Sequence, residues 1–253
     1  MGKIISTFVC FLLLNSGLVF AATTATSNVK LTDISFILDG VTIDFDYWGD
    51  ESSSQIYAND SDEAIPSSED EDNDFADTEI FANFTHAQVS AKTEASNGTP
   101  VSLEAHGRSV LDSGNQEAYT AAWSYFWFAV DGGTTGGSIT INAHYEMDID
   151  LEANLGTSAY AYADVQMGGD IWPESGDYDW DEVRFLNHTI GSGTYVDSIE
   201  GDLSVIMNFD PDSSGEFWWE VESYTSTVPV PSTISLLALG LLGLVGVNRR
   251  KKQ

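Results

Sequence analysis

SITINAHYEMDIDLEA, Ser138 to Ala153, decides the fold class. Ile139, Ile141, Ala143, Tyr145, Met147, Ile149 and Leu151 alternate with Thr140, Asn142, His144, Glu146, Asp148, Asp150 and Glu152. A period of two held this long describes a half-buried antiparallel strand, one face on a core and one in water. Downstream the same period returns at Ala159 to Met167, Val183 to Ile190, Asp202 to Phe209 and Phe217 to Tyr224, between glycine-rich turns. Upstream, Ala121 to Val130 (AAWSYFWFAV) is bulky on both faces and predicts a strand covered on both sides. Glu79 to Lys92 and Val101 to Leu111 are further strands. Leu31 to Leu38, Asp39-Gly40 and Val41 to Tyr47 read as a hairpin, since both turn positions tolerate the positive φ of a type I′ turn. Residues 49–77 are rich in Ser, Asp and Glu and read as a mobile acidic loop, too polar to repay its ordering entropy by burial. The expected fold is all-β, an antiparallel β-sandwich or jelly roll, with an N-terminal signal helix and a C-terminal hydrophobic helix at its flanks.

Both ends of the 253-residue chain read as address labels. Lys3, the apolar stretch Ile4 to Phe20 and the small residues Ala21 and Ala22 follow the order of a secretory signal peptide, expected over residues 1–21. Cys10, the one cysteine, lies inside it, so the processed chain has neither disulfides nor thiol chemistry. At the other end, the apolar run Ile234 to Val247 is shorter than the ~20 residues of a usual membrane span. Arg249, Arg250, Lys251 and Lys252 follow it.

Between the labels, residues 22–227 form the expected domain, and Thr225 to Val230 a short stalk. All 40 acids of the chain lie in this part, with Lys30, Lys92, Arg108 and Arg184 as its basic residues, so the formal charge is 4 − 40 = −36. Such a surface repels phosphate and excludes nucleic acid as a partner. It also opposes adsorption of the whole molecule on anionic lipid. The seven Trp and many Tyr and Phe set the chain apart from a disordered acidic one.

The tail has three parts in order: Val228, Pro229, Val230, Pro231, Ser232; the short apolar run; and the basic cluster. It resembles the PEP-CTERM sorting signal of Gram-negative bacteria, whose motif usually carries Glu where this chain has Val230. The resemblance covers about a tenth of the chain. It implies export across the inner membrane and transient attachment there through the C-terminal helix. It further implies processing by an exosortase-like membrane enzyme, then delivery to the surface or matrix in an exopolysaccharide or biofilm setting.

No nucleophile elbow, P-loop or dinucleotide fingerprint is present. His86, His106, His144 and His188 lack zinc-like spacing. Asp210, Asp212, Ser214 and Gly215 resemble the first half of a calcium loop, where glycine permits the turn while oxygens converge on the ion. Val221 stands where the bidentate Glu would be, between Glu220 and Glu222. Asp70, Asp72 and Asp74, like Asp177, Asp179 and Asp181, repeat the acidic spacing. Ca²⁺ is therefore the one cofactor the sequence raises. Trp218 and Trp219 are adjacent, so a strand points them to opposite sides. One is expected in the core, and the other is a candidate for stacking on a sugar ring. The expectation is a non-enzymatic exported protein, structural or adhesive, with a carbohydrate-binding or carbohydrate-active protein as the alternative.

Overall fold

The computed structural model describes residues 22–44, 51–60, 63–72, 77–96, 99–112, 117–172 and 178–230. Within them the chain forms β1 (Thr23–Asp39), β2 (Thr42–Asp44), β3 (Glu51–Asp60), β4 (Glu63–Asp72), β5 (Thr78–Asn83), β6 (Ala87–Ser96) and β7 (Thr99–Leu111). It continues through β8 (Ala118–Asp131), β9 (Gly137–Ala153), β10 (Thr157–Trp172), β11 (Tyr178–Ile190), β12 (Gly193–Phe209) and β13 (Ser214–Pro229). The expected signal and tail helices lie outside the described residues.

The strands build two antiparallel sheets packed face to face, a β-sandwich as the alternation predicts. One sheet runs β12-β9-β1-β7-β6-β5 and the other β11-β10-β13-β8-β3-β4, with β2 also pairing β8. In β9, Ile139, Ile141, Met147, Ile149 and Leu151 are buried, while Glu146, Asp148, Asp150 and Glu152 face water.

The core is aromatic at one end. Trp219 is fully buried, stacked on Phe128 (centroids 5.1 Å apart) and edge-on to Phe36 and Phe126. Towards the other end small hydroxyl residues bridge the sheets. Ser27 Oγ donates to the Tyr162 carbonyl (2.7 Å) and Ser223 Oγ donates to the Ser27 carbonyl (2.9 Å), while Thr120 Oγ1 pairs its strand neighbour Thr225 Oγ1 (2.7 Å) within the seven-stranded sheet.

Four local expectations are corrected. Asp39-Gly40 is a crossover between sheets and not a hairpin. β1 continues to Asp39 against Ser138 of β9, and β2 pairs β8. β9 takes one edge of β1 as far as Asp39 and β7 the other as far as Leu31, while Thr42–Asp44 fill the stretch of the β8 edge that β3 leaves open beyond Trp127. Second, most of the expected loop over residues 49–77 is the pair β3 and β4. Ile56 and Ala58 enter the core, and Ser54 Oγ pairs Thr78 Oγ1 at 2.7 Å across the sheets. The acidic run falls on β4 at the sheet edge, where natural sheets place charge. Third, β8 is covered on one side alone: Phe126 and Phe128 are buried, while Trp123, Tyr125 and Trp127 are half-buried on the outer face. No described element packs over them. Fourth, the stalk expected over Thr225 to Val230 is the end of β13, paired with β10 as far as Pro229↔Thr157.

Candidate functional site

The register of the seven-stranded sheet lines up its outward side chains. Gln55, Trp123, Glu222, Asp164 and Arg184 form one row across β3, β8, β13, β10 and β11. Ser53, Tyr125, Glu220, Gln166 and Glu182 form the next. Trp127 faces Trp218 in a third. On the other side of the first row, Tyr162 stacks on Tyr224 (5.4 Å, 12°) and Tyr57 on Tyr119 (5.3 Å). The result is a band of half-buried rings with carboxylates and amides set between them. A depression of about 260 Å³ opens in it, lined by Ser53, Gln55, Trp123, Tyr125 and Glu220.

The carboxylates here are unusual for so acidic a chain. Burial raises the pKa of Glu220, and the charges of Glu222 and Asp164 raise it further. Burial also raises that of Glu222, against the lowering effect of hydrogen bonds from the Tyr162 hydroxyl and the Trp123 side chain. Glu216 is raised by burial too, while Trp127 Nε1 donates to its Oε2 at 2.9 Å. Asp164 is 1% exposed; its Oδ2 accepts from Arg184 (2.7 Å) and from Gln166 Nε2 (3.1 Å). A planar, amphipathic surface with fixed donors and acceptors between rings suits the faces and hydroxyl edges of sugars.

Of the two tryptophans singled out in the sequence, Trp218 lies on this face, half-buried opposite Trp127. Trp219 is 0% exposed, and its ring is core. A stacking role for Trp219 is thus corrected: parity sends it inward against Phe128. Sequence reasoning missed Trp123, Tyr125, Trp127 and the paired Glu220 and Glu222. The available signal was the matching parity of W-S-Y-F-W in β8 and E-F-W-W-E-V-E in β13.

The calcium candidates lie at the far end of the sandwich, in the β12–β13 turn. Asp212 has φ +59°, its amide donates to the Gly133 carbonyl (2.7 Å), and Ser213 Oγ donates to the Asp210 carbonyl (2.7 Å). Asp212 and Ser214, with Asp131, Thr134 and Trp172, line a cavity of about 420 Å³. Among the described residues no three His, Cys, Asp or Glu side chains gather as a metal site.

The sorting residues leave from the opposite end. Val228 and Pro229 pair with Ser158 and Thr157 of β10, and the Val230 amide donates to the Gly156 carbonyl at 2.8 Å. Pro231, Ser232 and Arg249 to Lys252 lie outside the described residues. The family model described as the PEP-CTERM protein-sorting motif matches residues 227–251. The match implies an exported protein, held at the membrane through its tail and sorted by an exosortase-type enzyme. No curated protein matches the chain.

Proposed function

We propose that the chain is a non-enzymatic surface or matrix protein that contacts polysaccharide through the outer face of its seven-stranded sheet. The observation that carries this reading is the band formed by Trp123, Tyr125, Trp127, Trp218 and Tyr224, half-buried and interleaved with Gln55, Glu220 and Glu222. Neutral glycans suit a molecule of this charge, since they carry no anion to repel. A glycan-binding and hydrolysis screen tests the proposal. Binding that Trp123→Ala with Trp127→Ala abolishes is expected, and binding unaffected by the pair sinks the reading. Removal of residues 231–253, which spares β13, is expected to abolish delivery to the surface.

One observation favours a second reading. Glu220 and Glu222 are half-buried neighbours on one strand face, spaced by about 6.6 Å along the backbone. A pair of carboxyl groups, one with its pKa raised, is the equipment of glycoside hydrolysis, and burial raises the pKa of both of these. Release of reducing sugar in the screen, lost in both Glu220→Gln and Glu222→Gln, would move the protein to the carbohydrate-active class.

A further inference from the structure

We infer that the end of the sandwich from which the tail leaves is a lipid-docking surface, seated on the membrane while the tail holds the chain there. The inference rests on the sorting reading of the tail and is independent of glycan binding.

Both labels leave from this end. Thr23 Oγ1 lies 2.5 Å from Thr157 Oγ1, and Asn154 Nδ2 donates to the Ala22 carbonyl at 3.2 Å. The Val230 amide is bonded to Gly156 in the same β9–β10 turn. The signal peptide before Ala22 and the apolar run after Val230 therefore start beside one another.

The tether is short. Pro231, Ser232 and Thr233 separate Val230 from Ile234, where the apolar run begins. Four steps of extended chain reach at most about 14 Å. The headgroup layer takes about 5–8 Å of that on each side of a bilayer. What is left is narrower than a helix, so the turns at this end lie against the headgroups.

Those turns are built for it. Leu155, on the β9–β10 connection, is 70% exposed, Ile190, the last residue of β11, is 63% exposed, and Pro229 is exposed between them. The Gly191 amide donates to the Thr157 carbonyl (3.0 Å), which holds the two connections together. Gly156 and Gly191 have φ of +87° and +76°, and a Cβ on either would meet nothing within 4 Å. The charge is placed to match. In a chain with 40 acids, residues 1–32, 153–163, 185–196 and 223–253 contain no Asp or Glu. These segments supply the tail-side ends of β1, β10, β11, β12 and β13. The acids that do reach this end are Glu152 on β9, Asp112 and Glu117 in the β7–β8 connection, and Asp60 and Glu63 at the β3–β4 turn towards the sheet edge, away from the β9–β10 and β11–β12 connections. At the far end Asp39, Asp131, Asp170, Asp210 and Asp212 sit at the turns or beside them. The net charge opposes adsorption of the whole molecule, but the tail supplies the attachment and only the acid-poor corner around Leu155 and Ile190 meets lipid.

The test uses the full chain, carrying Cys10→Ser, inserted through its tail into phosphatidylethanolamine–phosphatidylglycerol vesicles at about one chain per vesicle. Single cysteines at Leu155→Cys, Ile190→Cys or, at the far end, Thr134→Cys carry an environment-sensitive fluorophore. The expected result is a blue shift and strong quenching by chain-brominated lipid at 155 and 190, with neither at 134. A label at Ser192→Cys loses its quenching when Leu155→Glu and Ile190→Glu are added, both positions being too exposed to disturb folding. Equal, water-like emission at all three positions on a held chain overturns the docking alone. Shielding that appears only at high chain density assigns the surface to a second copy, and shielding that requires the processing enzyme assigns it to that protein; either overturns lipid. A chain that its tail does not hold on the vesicle overturns the sorting reading as well.

Discussion

The two outer faces of the sandwich carry the same kinds of acid in different settings. On the six-stranded face carboxylates stand in water beside the few cations: Lys30 Nζ lies 2.8 Å from Glu104, both about two-fifths exposed, and Lys92 bonds Glu94. His144 pairs Asp202 at 2.8 Å, which raises the histidine pKa. On the seven-stranded face Glu216, Glu220 and Glu222 are sunk among tryptophans and tyrosines, and burial raises the pKa of each. The first arrangement costs little and keeps the molecule soluble. The second costs desolvation, which a purely structural surface would avoid. The contrast separates acidity that stands in water from acidity set into the proposed site.

The comparison depends on which side of β13 each residue occupies, and the adjacent tryptophans break or keep it. Trp219→Ala removes the ring that Phe36, Phe126 and Phe128 pack against. It should cost about 3–5 kcal/mol in urea unfolding. Trp218→Ala should cost far less stability and lower glycan affinity instead. Equal destabilisation by both would mean that the seven-stranded face is buried against something else.

Next in size is the pair of Arg184 with the buried Asp164 on that face, where Arg184 also reaches Glu182 at 3.0 Å. Arg184→Ala leaves the buried Asp164 carboxylate without its cation, at an expected cost of about 3 kcal/mol. The double change Asp164→Leu with Arg184→Leu should recover most of it. A single variant as stable as the parent would show that Asp164 reaches water. Smaller again is the binding effect. Trp123→Ala or Trp127→Ala should each weaken glycan binding by about 2 kcal/mol, while Lys30→Ala and Lys92→Ala on the opposite face leave the isotherm unchanged. Equal losses on both faces would locate binding elsewhere.

How much of this was legible in the sequence follows from what is local. The parity of β9 is set by its own residues, so burial of Ile139 to Leu151 could be read directly. Asp39-Gly40 carries the same backbone freedom in a hairpin and in a crossover, and the choice is made by β8, far along the chain, which offers Thr42–Asp44 an edge at Ala129 to Asp131. The serines and acids of residues 49–77 are poor in apolar area, yet Ile56 and Ala58 suffice once β8 offers an edge. For the site, adjacency shows that Trp218 and Trp219 face opposite ways but not which faces the core. In β8 both faces are bulky, and a row of rings half-covered by one another reads like a row covered by a second layer.

The ionisation of Glu220 gives a finer test. Its folded pKa is raised, so the fold favours the protonated form. The corresponding stability is full below the ordinary carboxylate range and is lost as pH climbs through the raised value. Glu220→Gln should therefore be more stable than the parent at pH above the raised value, and the gap should narrow as pH falls towards the ordinary carboxylate range. A gap independent of pH would show that the gain comes from packing and not from charge.

The smallest effect belongs to the six-stranded face. Glu104→Gln breaks the Lys30 pair, whose two side chains are 44% and 41% exposed. Water screens such a pair and its side chains lose freedom to hold it, so the cost should be about 0–1 kcal/mol and shrink with added salt. The same change also removes one negative charge from a domain at −36, where mutual repulsion opposes folding. The two effects have opposite signs and both fade with salt. Near-zero destabilisation at low ionic strength is therefore the expected outcome. A loss above about 2 kcal/mol would place Glu104 in a desolvated setting and remove the distinction between the faces.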